Sequence, residues 1–545
     1  MFAGDEVVVL GWYAIGVGEL ALRNTRAFGG FSEQGGDGNP DQAGGCLLVQ
    51  SPCMFGKVLI ANRGEIAVRV IRALREMGIR SVAVFSDADR GALHVRMADE
   101  AAHVDSYLRI DRVIEAAKKH QAAAIHPGYG FLSENATFAA ASEAAGIVFI
   151  GPSADSIRRL GSKTAARTLA RQAGVSVVPG SEEPITNIDD ARRLARELGY
   201  PVLLKAAAGG GGKGMRRVDG ESDLESAIRD ASSEAERAFH NGEVYIEKVI
   251  ENPRHIEIQI AGDRHGNLVH LGERECSLQR RHQKIVEECP SPLVAARPEM
   301  RAAMGEAALR LARAGGYYNL GTIEFLAGNP GNFYFLEVNT RLQVEHPVTE
   351  MVTGYDLVQL QLRIAAGERL PFTQEDVEWR GSAIECRICA EDPENQFFPS
   401  PGKIEQLREP SGPGVRLDSG VYPGWTVPLE YDPLLAKLVT WGADRESAVR
   451  RMLRALREYS IAGIETNLAF FREMLEDRQF REERLSTNFV ADYFTRRKTR
   501  PQPAELELAA ALAAAAYAKS EQRETRNEKR ETNLWLSEGR NELLR

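Results

Sequence analysis

The sequence predicts a multidomain chain of mixed class, with a doubly wound α/β domain first, an α+β region in the middle and a smaller β-rich domain after it. Three observations carry this. The chain has 545 residues, and compact domains usually run ~100–200 residues, so three or four cores are expected. Strand, helix and strand patterns follow one another directly after residue 54, which is the α/β rhythm. Beyond residue 380 short apolar runs are separated by Pro-Gly turns, as in a β-rich domain.

Residues 1–53 are Gly-rich, carry the polar stretch Gln34 to Gln42 and keep no sustained period. A disordered extension is expected there, with Met54 the natural start of the folded chain. Residues 58–60 then read as a strand, Asn62 to Gly64 as a turn, and Ile66, Val70, Leu74 and Met77 as one face of a helix that ends near Gly78; a second strand follows at 81–85. Strand, helix and strand within about 30 residues form the unit of a doubly wound nucleotide domain, but this turn lacks G-x-G-x-x-G, so dinucleotide binding is disfavoured. A second region opens near Leu160 and holds a glycine cluster and most of the unusual charge. The third carries turn signals at Pro399 to Gly402, Gly412 to Gly414 and Tyr422 to Gly424, and closes on a helix at 445–459. The expected parts are 1–53, 54–160, 161–380, 381–495 and an Ala-, Glu- and Arg-rich tail, 496–545, that frays from helix into polar chain.

Lys plus Arg number 68 against 77 Asp plus Glu, a net charge of −9, which argues against nucleic acid as the main partner. The six cysteines, Cys46, Cys53, Cys276, Cys289, Cys386 and Cys389, are sparse and irregular, so no disulfide framework is expected and a reducing cytoplasm fits. Cys386 and Cys389 have motif spacing, yet they lie in a strand-like run that sends them to opposite faces. The best apolar runs, 7–17 and 508–518, are too short to cross a bilayer. Asp5 and Glu6 stand where a secretory leader would be basic.

Chemistry concentrates in three stretches. Lys205 is followed by Ala-Ala-Ala, four glycines, Lys213, Gly214 and Met215. Four glycines cost more backbone entropy than a turn requires, so they point to a lid whose N–H groups close over phosphates, although a plain hairpin would also fit. This is not a Walker A loop: Gly214 replaces the Ser or Thr, and 215–218 reads as a returning strand instead of a helix. Next, 321–326 and 333–341 read as adjacent strands. In the second, alternation sets Glu337, Asn339, Arg341, Gln343 and Glu345 on one side and Val338, Leu342 and Val344 on the other. Glu324, Glu337 and Asn339 supply hard oxygen ligands suited to Mg²⁺; a solvated edge strand is the plainer alternative. The third stretch, Gln279 to Val286, is basic within an acidic protein and reads as a surface charge run or a phosphate clamp.

Together with Ile60 to Ala67, His126 to Asn135, Glu247 to Ile250, Asn252 to His255, Gln279 to Lys284 and Glu337 to Pro347 in that order, the chain from about Met54 to Phe494 resembles the biotin carboxylase family. The resemblance implies an N-terminal α/β domain, an ATP-grasp domain with a mobile glycine lid and a C-terminal β-rich domain. It assigns Lys163 and Lys205 to ATP phosphates, Gly211 and Gly212 to the lid, Glu247, Lys248, Val249 and Ile250 to adenine, and His255 and His282 to the lining of the nucleotide site. It gives Glu324, Glu337 and Asn339 to two Mg²⁺ or Mn²⁺ ions, and sets Lys284, Arg341, Gln343 and Val344 around bicarbonate. Glu345 is implied as the base for bicarbonate and Arg387 as the cation facing biotin, while His346 is read as structural.

Bicarbonate is a poor electrophile, so phosphoryl transfer from ATP to give carboxyphosphate is what these cations would assist. The residues at 104–106 look shorter than the loop often seen in the family. No Met-Lys pair occurs anywhere in the chain, so biotin is expected on a separate carrier protein, with carboxyltransferase subunits as further partners and a homodimer as the family's usual state. The expected activity is the first half-reaction of acetyl-CoA or another acyl-CoA carboxylase, with a two-subunit pyruvate carboxylase as the alternative. A carbamoyl-phosphate-type ligase is disfavoured because one glycine cluster and one Glu-Val-Asn motif are present instead of a duplicated set. A non-catalytic scaffold is disfavoured because the metal and base positions are all filled.

Overall fold

A computed structural model describes residues 54–206, 215–239, 242–328, 331–497 and 510–515, all within one unit, Pro52–Arg545. The expectations for residues 1–53, for Gly211 and Gly212 and for most of the tail fall outside the described residues; 510–515 are helical.

Lys57–Ile60 is the central strand of a five-stranded parallel sheet, ordered Glu100–His103, Arg80–Phe85, Lys57–Ile60, Ala124–His126, Val148–Phe149. Its apolar run is unbroken because both faces are covered. Val58 and Ile60 pack with Ile66, Val70 and Leu74 of the helix Gly64–Glu76 and with Leu357 and Leu360, while Leu59 packs with Val82, Val113 and Phe138 on the other side. The helix ends as its sequence predicts, with Gly78 at φ +70 just beyond it.

Chain order moves outward from Lys57–Ile60 to Glu100–His103, then returns to lay Ala124–His126 on the opposite side. Such a reversal leaves a crevice at the carboxyl ends of the two strands, the usual ligand position in open α/β sheets. Here Asn62 spans it, donating from Nδ2 to the carbonyls of Pro127 at 2.7 Å and Tyr129 at 2.8 Å. Gly128 makes this possible: it sits at φ +63, and a Cβ there would lie 2.7 Å from Asn62 Nδ2.

Met215–Val218, Val202–Ala206 and Val244–Lys248 form a small antiparallel sheet, so the returning strand expected at 215–218 is present, with Lys205 opposite Met215. Helices Ile188–Leu198 and Glu221–Phe239 cover it around Ala191, Val202, Leu204, Val218, Leu224 and Ile246.

The largest sheet has eight antiparallel strands, in the order Phe333–Asn339, Asn319–Ala327, Arg254–Gly262, Leu268–Arg280, Gln283–Cys289, Ser382–Cys389, Leu434–Gly442, Val415–Ser419. It runs through the sequence position of residue 380 without a break, since Val286 pairs with Cys386 and Glu287 with Glu385. The helix Arg445–Glu458 packs Met452 and Leu456 against Leu438 of this sheet.

One expectation needs correction. The strand carrying Glu337 ends at Asn339; residues 340–345 form a turn, and Glu345 directly precedes the helix His346–Thr353. The chain leaves the sheet because the Thr340 N–H donates to Glu134 Oε1 at 2.9 Å instead of to a neighbouring strand, and Pro347 in the first helical turn has no N–H to give. The alternation survives the turn because Leu342 is fully buried in the first core, which leaves Arg341 and Gln343 to the other side.

Candidate active site

A cleft of about 1980 Å³ is lined by the two loops of the parallel sheet (Asn62 to Ile66 and Tyr129 to Phe131), by Lys163 and Arg167, by the small sheet and by the eight-stranded sheet. Every described residue that the sequence singled out for a site lines this cleft, with one exception. Glu345 is fully buried, closed off by two cations.

Those cations are Lys284 and Arg387. Lys284 Nζ lies 2.7 Å from Glu345 Oε1, 2.6 Å from Glu257 Oε2 and 2.8 Å from Glu324 Oε1. Arg387 Nη2 lies 2.8 Å from Glu345 Oε2 and 2.6 Å from Glu287 Oε1. Burial by itself would push the Glu345 carboxyl up, but Lys284, Arg387 and Arg274 outweigh it and hold the group well below the usual carboxylate range. Lys284 moves the opposite way: burial opposes its charge, yet Glu257, Glu324 and Glu345 raise it well above an ordinary lysine. Glu345 is therefore a carboxylate at neutral pH.

Glu324 and Glu337 face each other across neighbouring strands. Glu324 Oε1 also accepts from Asn339 Nδ2 at 2.8 Å and from Gln343 Nε2 at 3.1 Å, and Oε2 lies 2.7 Å from His255 Nε2. Because Gln279 Nε2 donates to His255 Nδ1 at 2.6 Å, the imidazole proton belongs on the nitrogen that faces Glu324. Glu337 has Lys163 at 3.5 Å, and burial together with the charge of Glu324 raises its carboxyl above the usual range. Two opposed carboxylates, one strained by the other, suit a hard divalent cation. Asn339 turns its amide nitrogen to Glu324 and its oxygen to Arg341 Nη2 at 3.0 Å.

At the other end Lys205 Nζ lies 2.5 Å from Glu247 Oε2, and Arg167 pairs with Glu247 Oε1. Burial first, then Arg167 and Lys163, lower the Lys205 ammonium to about 8. Three clustered cations make a receptive place for phosphate. The Glu247 side chain is thus committed to the phosphate-side cations, while Val249 and Ile250 give the apolar wall beside it. Lys248 lines the cleft but spends Nζ on the Gly199 carbonyl at 2.6 Å. His282, at φ +66 in the turn after Leu268–Arg280, sits exposed on the rim. Arg341 is tied by Nη1 to Gln343 Oε1 at 2.8 Å and by Nε to Glu134 Oε2 at 2.9 Å.

Comparison with known proteins follows this geometry. Residues 54–157 match the family model for the biotin carboxylase N-terminal domain, 162–373 that for the ATP-binding domain of the carbamoyl-phosphate synthase L chain, and 385–492 that for the biotin carboxylase C-terminal domain. Biotin carboxylase 1 of Bacillus subtilis is 52% identical over 447 residues, 81% of this chain and 99% of that one. The chain belongs to the biotin carboxylase family. It is an ATP-dependent ligase of the three-domain biotin carboxylase architecture. A pyruvate carboxylase subunit from Methanothermobacter thermautotrophicus is 52% identical over 446 residues, covering 81% of this chain and 90% of that one. The solved biotin carboxylase domain dimer of Hydrogenobacter thermophilus 2-oxoglutarate carboxylase, in complex with MgADP, ADP and bicarbonate, superposes with a TM-score of 0.77 at 48% identity, over 81% of this chain and 98% of that one.

Several residues in and behind this cleft escaped the sequence reading. Arg274 is fully buried and holds Glu257 at 2.5 Å, Gln259 at 2.7 Å, and Thr322 and Thr349 at 3.0 Å. The signal for its partners was present: His255, Glu257 and Gln259 alternate with Ile256, Ile258 and Ile260, a polar face opposite an apolar one. For Arg167 and Glu287 no local pattern distinguishes them from surface charge.

Proposed function

We propose that this chain carboxylates biotin presented by a separate carrier protein, using ATP and bicarbonate, as the first half-reaction of an acyl-CoA carboxylase. The observation that carries it is Glu345, an ionised carboxylate enclosed by Lys284 and Arg387 beside a cation-lined cleft. Lys163, Lys205 and Arg167 would hold the ATP phosphates. Lys284 and Arg341 would draw bicarbonate next to Glu345, which takes its proton and leaves an oxygen nucleophile for the γ-phosphorus. A divalent ion bound by Glu324 and Glu337 would offset charge on the transferring phosphoryl. Arg387 would then stabilise the ureido oxygen of biotin as that ring loses its proton to released phosphate.

The final acceptor resides in the carboxyltransferase partner. An acyl-CoA is proposed; pyruvate is the second reading, favoured by the similarity to a pyruvate carboxylase subunit. The test is a phosphate-release assay with components omitted one at a time. ATP cleavage should depend on bicarbonate and Mg²⁺ and rise with biotin or a biotinylated carrier, and equal rates without bicarbonate would overturn the assignment. The carboxyltransferase that co-purifies separates the two acceptors.

A further inference from the structure

Arg387 is gripped from two sides. Glu345 Oε2 takes Nη2 at 2.8 Å, while Glu287 Oε1 takes both Nε at 2.7 Å and Nη2 at 2.6 Å. Both carboxylates are fully buried, whereas the guanidinium reaches the cleft. The two grips differ in kind: the grip on Nε is side-on and made by Glu287 alone, and the Nη2 end is shared. Behind Glu287 stands Glu385, its partner in the strand register. Among the described residues Glu287 Oε2 and both Glu385 oxygens are buried without a hydrogen-bond partner, so Glu287 is aimed at Arg387.

Building on the function proposed above, we infer that Glu287 is a positioning residue that keeps Arg387 anchored by its Nε edge while the Nη2 end passes from Glu345 to biotin, after Glu345 has taken the bicarbonate proton. The step balances. The O–H bond of bicarbonate breaks and its proton bonds to a Glu345 oxygen. The electron pair left on the bicarbonate oxygen forms the bond to the γ-phosphorus as the bond from that phosphorus to the ADP oxygen breaks. Glu345 is now neutral, and its hold on Arg387 loses the attraction between opposite charges and keeps only the hydrogen bond. Glu287 responds in the opposite sense. Burial pushes its carboxyl up to about 7 against the pull of Arg387, with the Glu345 charge adding to the push; neutralising Glu345 removes that contribution and firms the Glu287 grip. Biotin therefore meets a free N–H on Nη2 only after bicarbonate has been activated, Glu287 still holding the other, which orders the two half-steps.

Glu287→Gln and Glu287→Asp test this, with carboxybiotin and phosphate measured together and KM determined for free biotin. In Glu287→Gln, carboxybiotin formed per phosphate released should fall roughly tenfold and the KM for biotin should rise, while biotin-independent, bicarbonate-dependent ATP cleavage falls less. Glu287→Asp keeps the charge on a shorter arm and should retain more of the ratio; if the Gln variant does not fold, a raised biotin KM with a smaller effect on ATP cleavage in the Asp variant carries the same information. Equal loss of both activities, or a ratio unchanged from wild type, overturns the inference. Wild-type protein that shows no bicarbonate-dependent cleavage instead overturns the functional reading beneath it.

Discussion

At Glu345 the contacts that keep the carboxylate ionised also reduce its affinity for a proton. A general base works best with a pKa near the working pH, whereas Lys284, Arg387 and Arg274 hold the proposed base far lower. The conflict resolves if the same cations act on bicarbonate, because Lys284 that turns towards the anion makes its O–H more acidic and at once relaxes its hold on Glu345. Glu345→Gln keeps shape and hydrogen-bonding reach but removes proton affinity. Turnover should fall by roughly 10²–10⁴, with the Kd for ATP, measured by calorimetry, close to wild type; a large loss of ATP affinity would show that Glu345 chiefly supports the nucleotide site. At this scale the sequence was legible where a motif names the residue, as for Lys284, Arg341 and Glu345. It was silent on Glu287 and Arg167, whose significance depends on which strand or helix lies opposite.

Among elements, the strand Leu268–Arg280 shows why. Its run Glu273-Arg-Glu-Cys276 is dense in charge, yet all four residues are buried because the helices Pro298–Ala314 and His346–Thr353 pack against the strand, Arg301 reaching Glu273 and Thr349 reaching Arg274. Arg274 there touches groups from three other elements: Glu257 and Gln259, Thr322, and Thr349. Removing it leaves Glu257, which burial already pushes up, with Lys284 as its one remaining cation among the described residues. Arg274→Met should therefore cost about 3 kcal/mol in urea unfolding, and Glu257→Gln in the same chain should recover part of the loss because the half-paired charge is gone. A cost that the double variant leaves unchanged would assign the effect to packing. Local patterns did reveal the strand at Met215–Val218 and the helix Arg445–Glu458, where period and turn residues agree. They did not reveal the end of Phe333–Asn339, because a turn with one buried leucine imitates the same alternation.

For the whole molecule, the sheet that passes residue 380 has a consequence for dissection. A fragment of residues 54–380 would leave 286–289 of Gln283–Cys289 as an unpaired edge, and 381–497 would leave 383–386 of Ser382–Cys389 so; unpaired edges invite pairing with other chains and aggregation. Each fragment expressed alone should be insoluble, and co-expression should restore a soluble, nucleotide-binding pair; a soluble, cooperatively melting 54–380 fragment would refute this. No reading of composition or period could have found that continuity, since register between strands about 100 residues apart is written in tertiary contacts, not in local pattern.

The small sheet of Met215–Val218, Val202–Ala206 and Val244–Lys248 has a core of its own. A part with its own core can come loose without dissolving its neighbours. In deuterated buffer its amides should label earlier than those of Arg254–Gly262, which is flanked by strands on both sides. Lys205, on the middle strand of the small sheet, faces the cleft, so adding ADP should slow labelling of these three strands and leave the rate in Arg254–Gly262 nearly as it was.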